Sequence, residues 1–404
     1  MIRYEIKKIF SKTMNKAALL VMTAILVIVC LFTLNSVYCT DESGDHLSGI
    51  AAAKKLREMQ EPWSGHLTED VFAEVIRKNA QINGSEEALS DDILKQNQAY
   101  AKKQGFGDIL NLLNDMFSPY RDWDPFMANR LTEEDAKYVY EKRISGLKEF
   151  LDSGEEYFSE NEKAFLVERY EALKIPFYYE YMGAWTALFP KVSTFILLLA
   201  LVIGFLVSGI FSDEFQLKAD SIFFASRLGR SKAVLSKTAA GFLVTTVLYI
   251  VFAFLYTVIM LAALGAGGAD CPIQFQFRKC IYNITNLQAY LLIIAGGYIG
   301  TLFAATTAML VSAKTRNTAL AAAVPFLILC TFPFLSRIIP LPGLCTLFPD
   351  RLMDIFNNML HDFSLYEIGG TVMDALVIVF PVYFLACVVL QPVVYGVFKR
   401  VEVK

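Results

Sequence analysis

Asp213, Glu214, Lys218, Asp220, Arg227, Arg230, Lys232 and Lys237 crowd one short stretch, Phe211–Lys237, between two apolar runs each long enough to cross a bilayer. Charges at that density cannot lie in hydrocarbon, so the stretch is a loop outside it. The chemistry open to these residue types is recognition rather than bond-making. Ser212 followed by two acids, with Arg227 and Arg230 towards the far end and Gly229 as a stop, predicts a short helix whose charges suit its dipole. Phe215, Ala219, Ile222 and Phe223 fall near one face, with Phe224 on its flank. Such a helix, with an exposed aromatic pair, is a docking surface.

Other chemistry is weakly supported. The segment Gly229-Arg-Ser-Lys232 lacks the first glycine and the loop of a phosphate-binding G-x-x-x-x-G-K-[ST], so the chain is not expected to bind ATP in that manner or to be an enzyme. His46, His66 and His361 have no ligand-like spacing, and no metal is expected. Seven cysteines include no C-x-x-C; Cys271 and Cys280 share a loop and could be either a disulfide or two free thiols. Asp374, near the start of the last apolar run, is either a buried ion-coupling acid or a solvated interfacial one.

The elements that must position this loop follow from composition. The chain has 404 residues, of which 55% are hydrophobic and 19% charged, and a positive mean hydropathy, which excludes an ordinary soluble enzyme. Its net charge of −3 hides a segregation. Between Asp41 and Glu180 there are 17 Lys/Arg against 29 Asp/Glu, a net −12, and the remainder carries +9. The expected fold is an all-α polytopic membrane protein: six transmembrane helices and a large, mostly helical extracellular domain between spans 1 and 2.

In order, residues 1–16 form an amphipathic helix on an anionic inner leaflet, with Ile2, Ile6, Ile9, Phe10 and Met14 on one side and Arg3, Lys7, Lys8, Lys12 and Lys16 over much of the rest. Span 1 covers 17–38, and is read as uncleaved because no small-x-small site follows. The extracellular domain takes 39–189. Its helix starts are marked by Thr68, Ser90, Thr132 and Ser159, the last with Glu162 as a capping box. Tyr178, Tyr179, Tyr181 and Trp185 read as an aromatic belt at the headgroup level. Span 2 is 190–212, the coupling loop 213–237, span 3 238–266, span 4 287–312 and span 5 318–335. Residues 336–370, broken by Pro340, Pro342 and Pro349, are either an extracellular loop or a re-entrant pair with Phe348, Leu352, Ile355, Phe356 and Met359 on one apolar face. Span 6 is 371–398, and 399–404 is the tail. Gly296 and Gly300, at G-x-x-x-G spacing in span 4, suit close helix packing. With the N-terminus inside, the inner segments carry fifteen Lys/Arg and the short outer loops four, so both termini are placed in the cytoplasm.

Phe211, Glu214, Ser226, Gly229, Arg230, Lys232 and Lys237 resemble a pattern of the membrane subunits of ABC type-2 exporters: F-x-x-E at the end of span 2, a coupling helix, S-x-x-G-R-x-K, and a lysine before span 3. The resemblance implies a permease of the cell membrane in a bacterium, paired with a second permease subunit. It also implies a separate ABC ATPase subunit that holds the ATP and meets Glu214, Phe223, Phe224, Arg227, Arg230 and Lys237. On that reading Phe223 and Phe224 fill a groove on the ATPase, and replacing both by alanine uncouples hydrolysis from transport. Lipid bilayer is a partner and nucleic acid is not. A membrane-anchored sensor whose extracellular domain binds a ligand is the alternative, and the acidic domain could attract cationic peptides. An ion-coupled carrier and a binding-protein-dependent importer fit less well, for want of charged spans and of an E-A-A-x-x-x-G-like loop.

Overall fold

The computed structural model describes residues 1–339 and 342–401; Pro340 and the end of the tail, 402–404 with Lys404, lie outside the described residues. Among the described residues, six helices are long and apolar enough to cross a membrane: α2 (Thr13–Asn35), α9 (Gly183–Gln216), α11 (Val234–Leu264, continuous with a π turn at Gly229–Ala233), α12 (Asn286–Thr315), α13 (Thr318–Leu335) and α17 (Ala375–Lys399). The chain is a polytopic, mostly helical membrane protein.

Burial ranks these helices. In its most apolar window α9 is 67% buried, against 17% for α13, so α9 is the centre of the bundle and α13 its rim. A helix that is apolar all round and buried is a core helix; an apolar face left outside is one that lipid covers. Close approach is local: a side chain at Gly204 of α9 would meet the ring of Pro325 on α13. Hydroxyl pairs join the others, with Thr33 and Tyr256 2.9 Å apart between α2 and α11, and Thr257 and Tyr290 2.6 Å apart between α11 and α12.

Residues between α2 and α9 make a helical unit: α3 (Gly49–Gln60), α4 (Glu69–Asn83), α5 (Ile93–Ala101), α6 (Gly107–Phe117), α7 (Val139–Asp152) and α8 (Glu160–Glu171). Helix α8 starts with the expected capping box, Glu162 N donating to Ser159 Oγ at 3.2 Å and Ser159 N to Glu162 Oε2 at 2.9 Å. Helix α5 begins two residues later than the Ser90 signal, because Asp92 caps it by accepting from Leu94 N. The Thr132 signal opens a 3-10 turn, not an α-helix. Two small antiparallel ladders tie the unit together: β1 (Tyr38–Thr40) with β2 (His46–Ser48), and β3 (Gly65–His66) with β4 (Tyr178–Tyr179).

The aromatic belt is corrected. Tyr179, Tyr181 and Trp185 are buried, since this unit sits directly on the end of the bundle and seals them from any headgroup layer. Trp185 Nε1 donates to the Gly267 carbonyl at 2.8 Å, and the apolar core runs without interruption from Phe72 and Ile109 through Phe177 and Tyr179 to Phe189 and Phe195. Tyr179 also donates to Asp108 at 3.2 Å. Burial raises the Asp108 pKa, and the hydrogen bond from Tyr179 offsets this only in part. The ionised form is therefore disfavoured in the folded state. That penalty is absent below the ordinary carboxylate range, grows as pH rises through the unfolded value, and levels off above the folded one. Asp108→Asn is expected to raise the unfolding temperature by roughly 1–2 °C at pH 8 and by less as pH falls towards 4. An equal shift at both pH values in thermal scans would refute this.

The last span starts later than expected. Residues 371–374 are not its first turn but strand β6 (Thr371–Asp374), paired with β5 (Leu365–Ile368) around Gly369 and Gly370, whose φ values are +60° and +81°. Two positive φ angles are what a two-residue hairpin turn requires, and Gly-Gly supplies them. Asp374 is then neither solvated nor an unpaired buried acid. It caps α17, accepting from Leu376 N, Val377 N and, at 3.1 Å, Tyr282 Oη. Cys271 and Cys280 are both free, buried thiols, and burial pushes each pKa up to about 12, leaving them protonated.

Candidate functional site

The stretch singled out by its charges does not begin a new helix at Ser212. Helix α9 continues through it to Gln216, so Asp213 and Glu214 lie on the last turn of a buried helix, 7% and 5% exposed. Carboxylates there need cations, and three lysines supply them. Lys237, on the first turn of α11 and fully buried, donates to Glu214 Oε1 at 2.7 Å, to Glu5 Oε2 at 2.9 Å and to the Ile210 carbonyl at 3.1 Å. Lys8 pairs with Glu214 and Lys12 with Asp213. Glu5, Lys8 and Lys12 recur at helical spacing on α1 (Ile2–Ser11) and the junction after it, so one stripe of α1 is fastened to α9 and α11. Asn15, buried at the start of α2, donates to the Ile9 and Leu206 carbonyls and fixes the bend. The amphipathic N-terminal helix is therefore partly a protein-packed element: Ile9 is buried, while Arg3, Tyr4, Lys7 and Met14 face outward.

Beyond Gln216 the chain breaks at Lys218, which takes a left-handed φ of 54°. A single helix α10 (Asp220–Ala225) follows, only six residues long. This shortness corrects the expected face. Phe224 is buried and Phe223 half-buried, their rings 5.2 Å apart edge to face, because both pack on Phe398 from the end of α17. Phe211 and Phe215 complete that cluster. The aromatic pair is thus a foot that roots α10 in the bundle, not an exposed plug. What points outward is Ile222, 77% exposed, and Leu217, Arg227 and Leu228 of the same loop are exposed as well.

Arg230 holds the other side. Its guanidinium lies 4.8 Å from the Phe224 ring and donates to the Lys399 and Val401 carbonyls at 3.0 and 2.9 Å, closing the C-terminal end of α17. Gly229 is required by space: a Cβ there would lie 1.8 Å from the Phe223 carbonyl oxygen. So Glu214, Arg230 and Lys237 come together with Phe223 and Phe224 in one packed joint, and Arg227 stays apart on the surface. Sequence reasoning missed Glu5, Lys8 and Lys12 as partners. The single Glu5 among the basic residues of α1 is a readable signal, whereas nothing local marks Phe398.

Gly296 and Gly300 do allow close approach: Phe380 of α17 would lie 3.3 Å from a Cβ at Gly296, but the tightest neighbours are not on a span. Both glycines face the segment after α13, which folds as α14 (Pro342–Cys345), α15 (Pro349–Met353) and α16 (Ile355–Asn358). A Cβ at Gly296 would lie 2.3 Å from Ile355 Cδ1 and 2.9 Å from the Leu352 carbonyl; one at Gly300 would lie 2.5 Å from Met353 Cγ. Gly296 is about 15 Å along α12 from its start, so α15 reaches well into the bundle. Leu352, Ile355, Phe356 and Met359 are buried there, and Phe348 is half-buried. Comparison of the chain with protein-family models, with curated proteins and with solved structures finds no match.

Proposed function

We propose that this chain is the membrane-spanning subunit of an ATP-driven exporter, working with a second permease subunit and a separate ABC ATPase. The observation that carries the reading is the joint itself. A short outward helix is bolted to the ends of α9, α11, α17 and α1 through Glu214, Lys237, Arg230 and the phenylalanine cluster. A push on Ile222 therefore acts on four helices at once instead of being absorbed by a loose loop. In this reading the joint and both ends of the chain are cytosolic, residues 39–189 lie outside a bacterial cell membrane, and closure of the ATPase dimer tilts α9 and α11 between inward- and outward-facing arrangements. ATP is held by the partner, and this chain has no catalytic residue.

The docking contact passes from Phe223 and Phe224 to Ile222, with the exposed Leu217, Leu228 and Arg227 of the same loop. Ile222→Asp is expected to weaken association with the ATPase subunit on the order of tenfold or more, as loss of a central apolar anchor does, with the chain still folded. Phe224→Ala, in contrast, is expected to lower stability first. Co-purification of a nucleotide hydrolase with the parent chain, and its loss with Ile222→Asp, is the measurement. Labelling of Arg227 or Lys232 from outside the cell, or recovery of a kinase-like protein in place of a hydrolase, would overturn the reading, the latter in favour of a sensor.

A further inference from the structure

Where the start of α11 lies beside the end of α17, the outer face of the bundle opens into a groove of about 870 Å³, within the range of small-molecule sites. Leu235, Ala239, Phe242 and Leu243 of α11 and Pro392 and Tyr395 of α17 line it, and Leu235, Phe242 and Leu243 are exposed. The polar side chains of its wall turn their donors into the protein. Ser231 donates to the Leu228 carbonyl at 3.4 Å, Thr238 to the Val234 carbonyl at 3.2 Å, and Gln391 to Thr306 Oγ1 of α12 at 3.0 Å. What they leave is an apolar lane between two spans.

One end of that lane is cationic. Lys232, in the π turn before α11, is part of the wall, and Lys399 at the end of α17 holds its Nζ 5.6 Å from the centre of the Tyr395 ring. Both lysines are exposed, and neither pairs with a carboxylate among the described residues. Arg230 is already committed, to the Phe224 ring and to the Lys399 and Val401 carbonyls. Because both lysines sit where their helices leave the span, the charged end lies at the membrane surface and the apolar lane inside it. From Leu235 to Leu243 the lane runs about 12 Å along α11. That is most of one leaflet of a hydrocarbon core roughly 30 Å thick.

A cationic end at the surface above an apolar lane one leaflet deep suits a lipid with an anionic head. A second copy seated by this same face would bring its own lysines to the same height, and cation against cation disfavours it. We propose that the groove seats an anionic phospholipid, its phosphate facing Lys232 and Lys399 and one acyl chain lying along Leu235, Phe242, Leu243 and Pro392. The lipid bridges α11 and α17 where protein leaves a gap. Such binding needs neither an ATPase nor a particular side of the membrane, so it stands or falls apart from the exporter reading.

The test uses the full chain, one per nanodisc of phosphatidylcholine, doped with phosphatidylglycerol that carries a diazirine on one acyl chain. After irradiation, labelled peptides are located by mass. Labelling within 235–243 and 391–395 is expected to saturate as the phosphatidylglycerol fraction rises, whereas the same diazirine on phosphatidylcholine should label only in proportion to its fraction. Lys232→Gln should raise the half-saturating fraction about fivefold, and Lys232→Gln/Lys399→Gln about thirtyfold, the worth of one and two lysines near an anionic head. Lys314→Gln, at the same end of the bundle but outside the groove, should leave it unchanged. All three lysines are exposed, so the variants keep the fold. Discs holding two chains are expected to label equally. Labelling by phosphatidylglycerol that does not saturate, a half-saturation unmoved by the double variant, or one moved as far by Lys314→Gln overturns the proposal. Loss of labelling in two-chain discs would also overturn it, and would give the groove to a second copy.

Discussion

Replacing Glu214 by glutamine is expected to destabilise the folded protein by about 3 kcal/mol, the low end of what breaking a buried pair costs. Lys237 cannot escape to solvent: its side chain is fully buried, and without Glu214 its ammonium keeps only Glu5 and a backbone carbonyl. Lys8 would lose its partner too, but it is about a third exposed and water takes up its charge. The same logic predicts the rescue. The double variant Glu214→Gln/Lys237→Met removes both signs together and should recover most of the loss, because a packed apolar chain replaces an ion pair at little net cost. Unfolding temperature in nanodiscs reads both. Equal loss in the single and double variants would mean that the cluster does not act as a pair.

Gly296→Val should be nearly as damaging, and for a different reason. Its Cβ would press on the Leu352 carbonyl, which is backbone and cannot swing away, as well as on the tip of Ile355. Helix α15 must then move off α12, for a loss of about 3 kcal/mol, the upper end for overpacking a core. Gly300→Ala is the milder control, since its neighbour is the flexible side chain of Met353. Cys345, buried just before α15, reports the displacement. Maleimide labelling at that position, followed by peptide mass, should accelerate in Gly296→Val and stay near the parent rate in Gly300→Ala. Unchanged labelling in both would show that α15 does not depend on this contact.

What could be read beforehand was whatever is local and repeated. Six apolar runs of spanning length need no tertiary context, and neither does a serine followed three residues later by glutamate at a helix start. Glu214, Arg230 and Lys237 drew attention because charges at the ends of spans demand partners. The face of α10 is not legible because the residues from Ser212 onward read as one helix running through the break at Lys218. Once the register restarts at Asp220, Ile222 turns outward and the phenylalanines turn in. That choice is made by Phe398, from the far end of the chain, and no window of sequence contains both. Tyr179 and Trp185 were misplaced similarly, since aromatic residues before a span look the same whether a headgroup layer or a folded domain lies above them. Gly369-Gly370 carries a local turn signal, but Thr371–Asp374 run straight into the apolar stretch that follows and so read as the start of a span.

The unbroken core that joins Phe72 and Ile109 to Phe189 and Phe195 has a practical and a mechanical consequence. A polypeptide excised before Gly183 would carry Phe177 and Tyr179 as raw surface, and sedimentation should find it self-associated. In the intact molecule the same continuity fuses the helical unit between α2 and α9 to helix α9, about 51 Å long. On the exporter proposal, torque delivered at one end of that helix would reach the whole unit at the other, as through a crank.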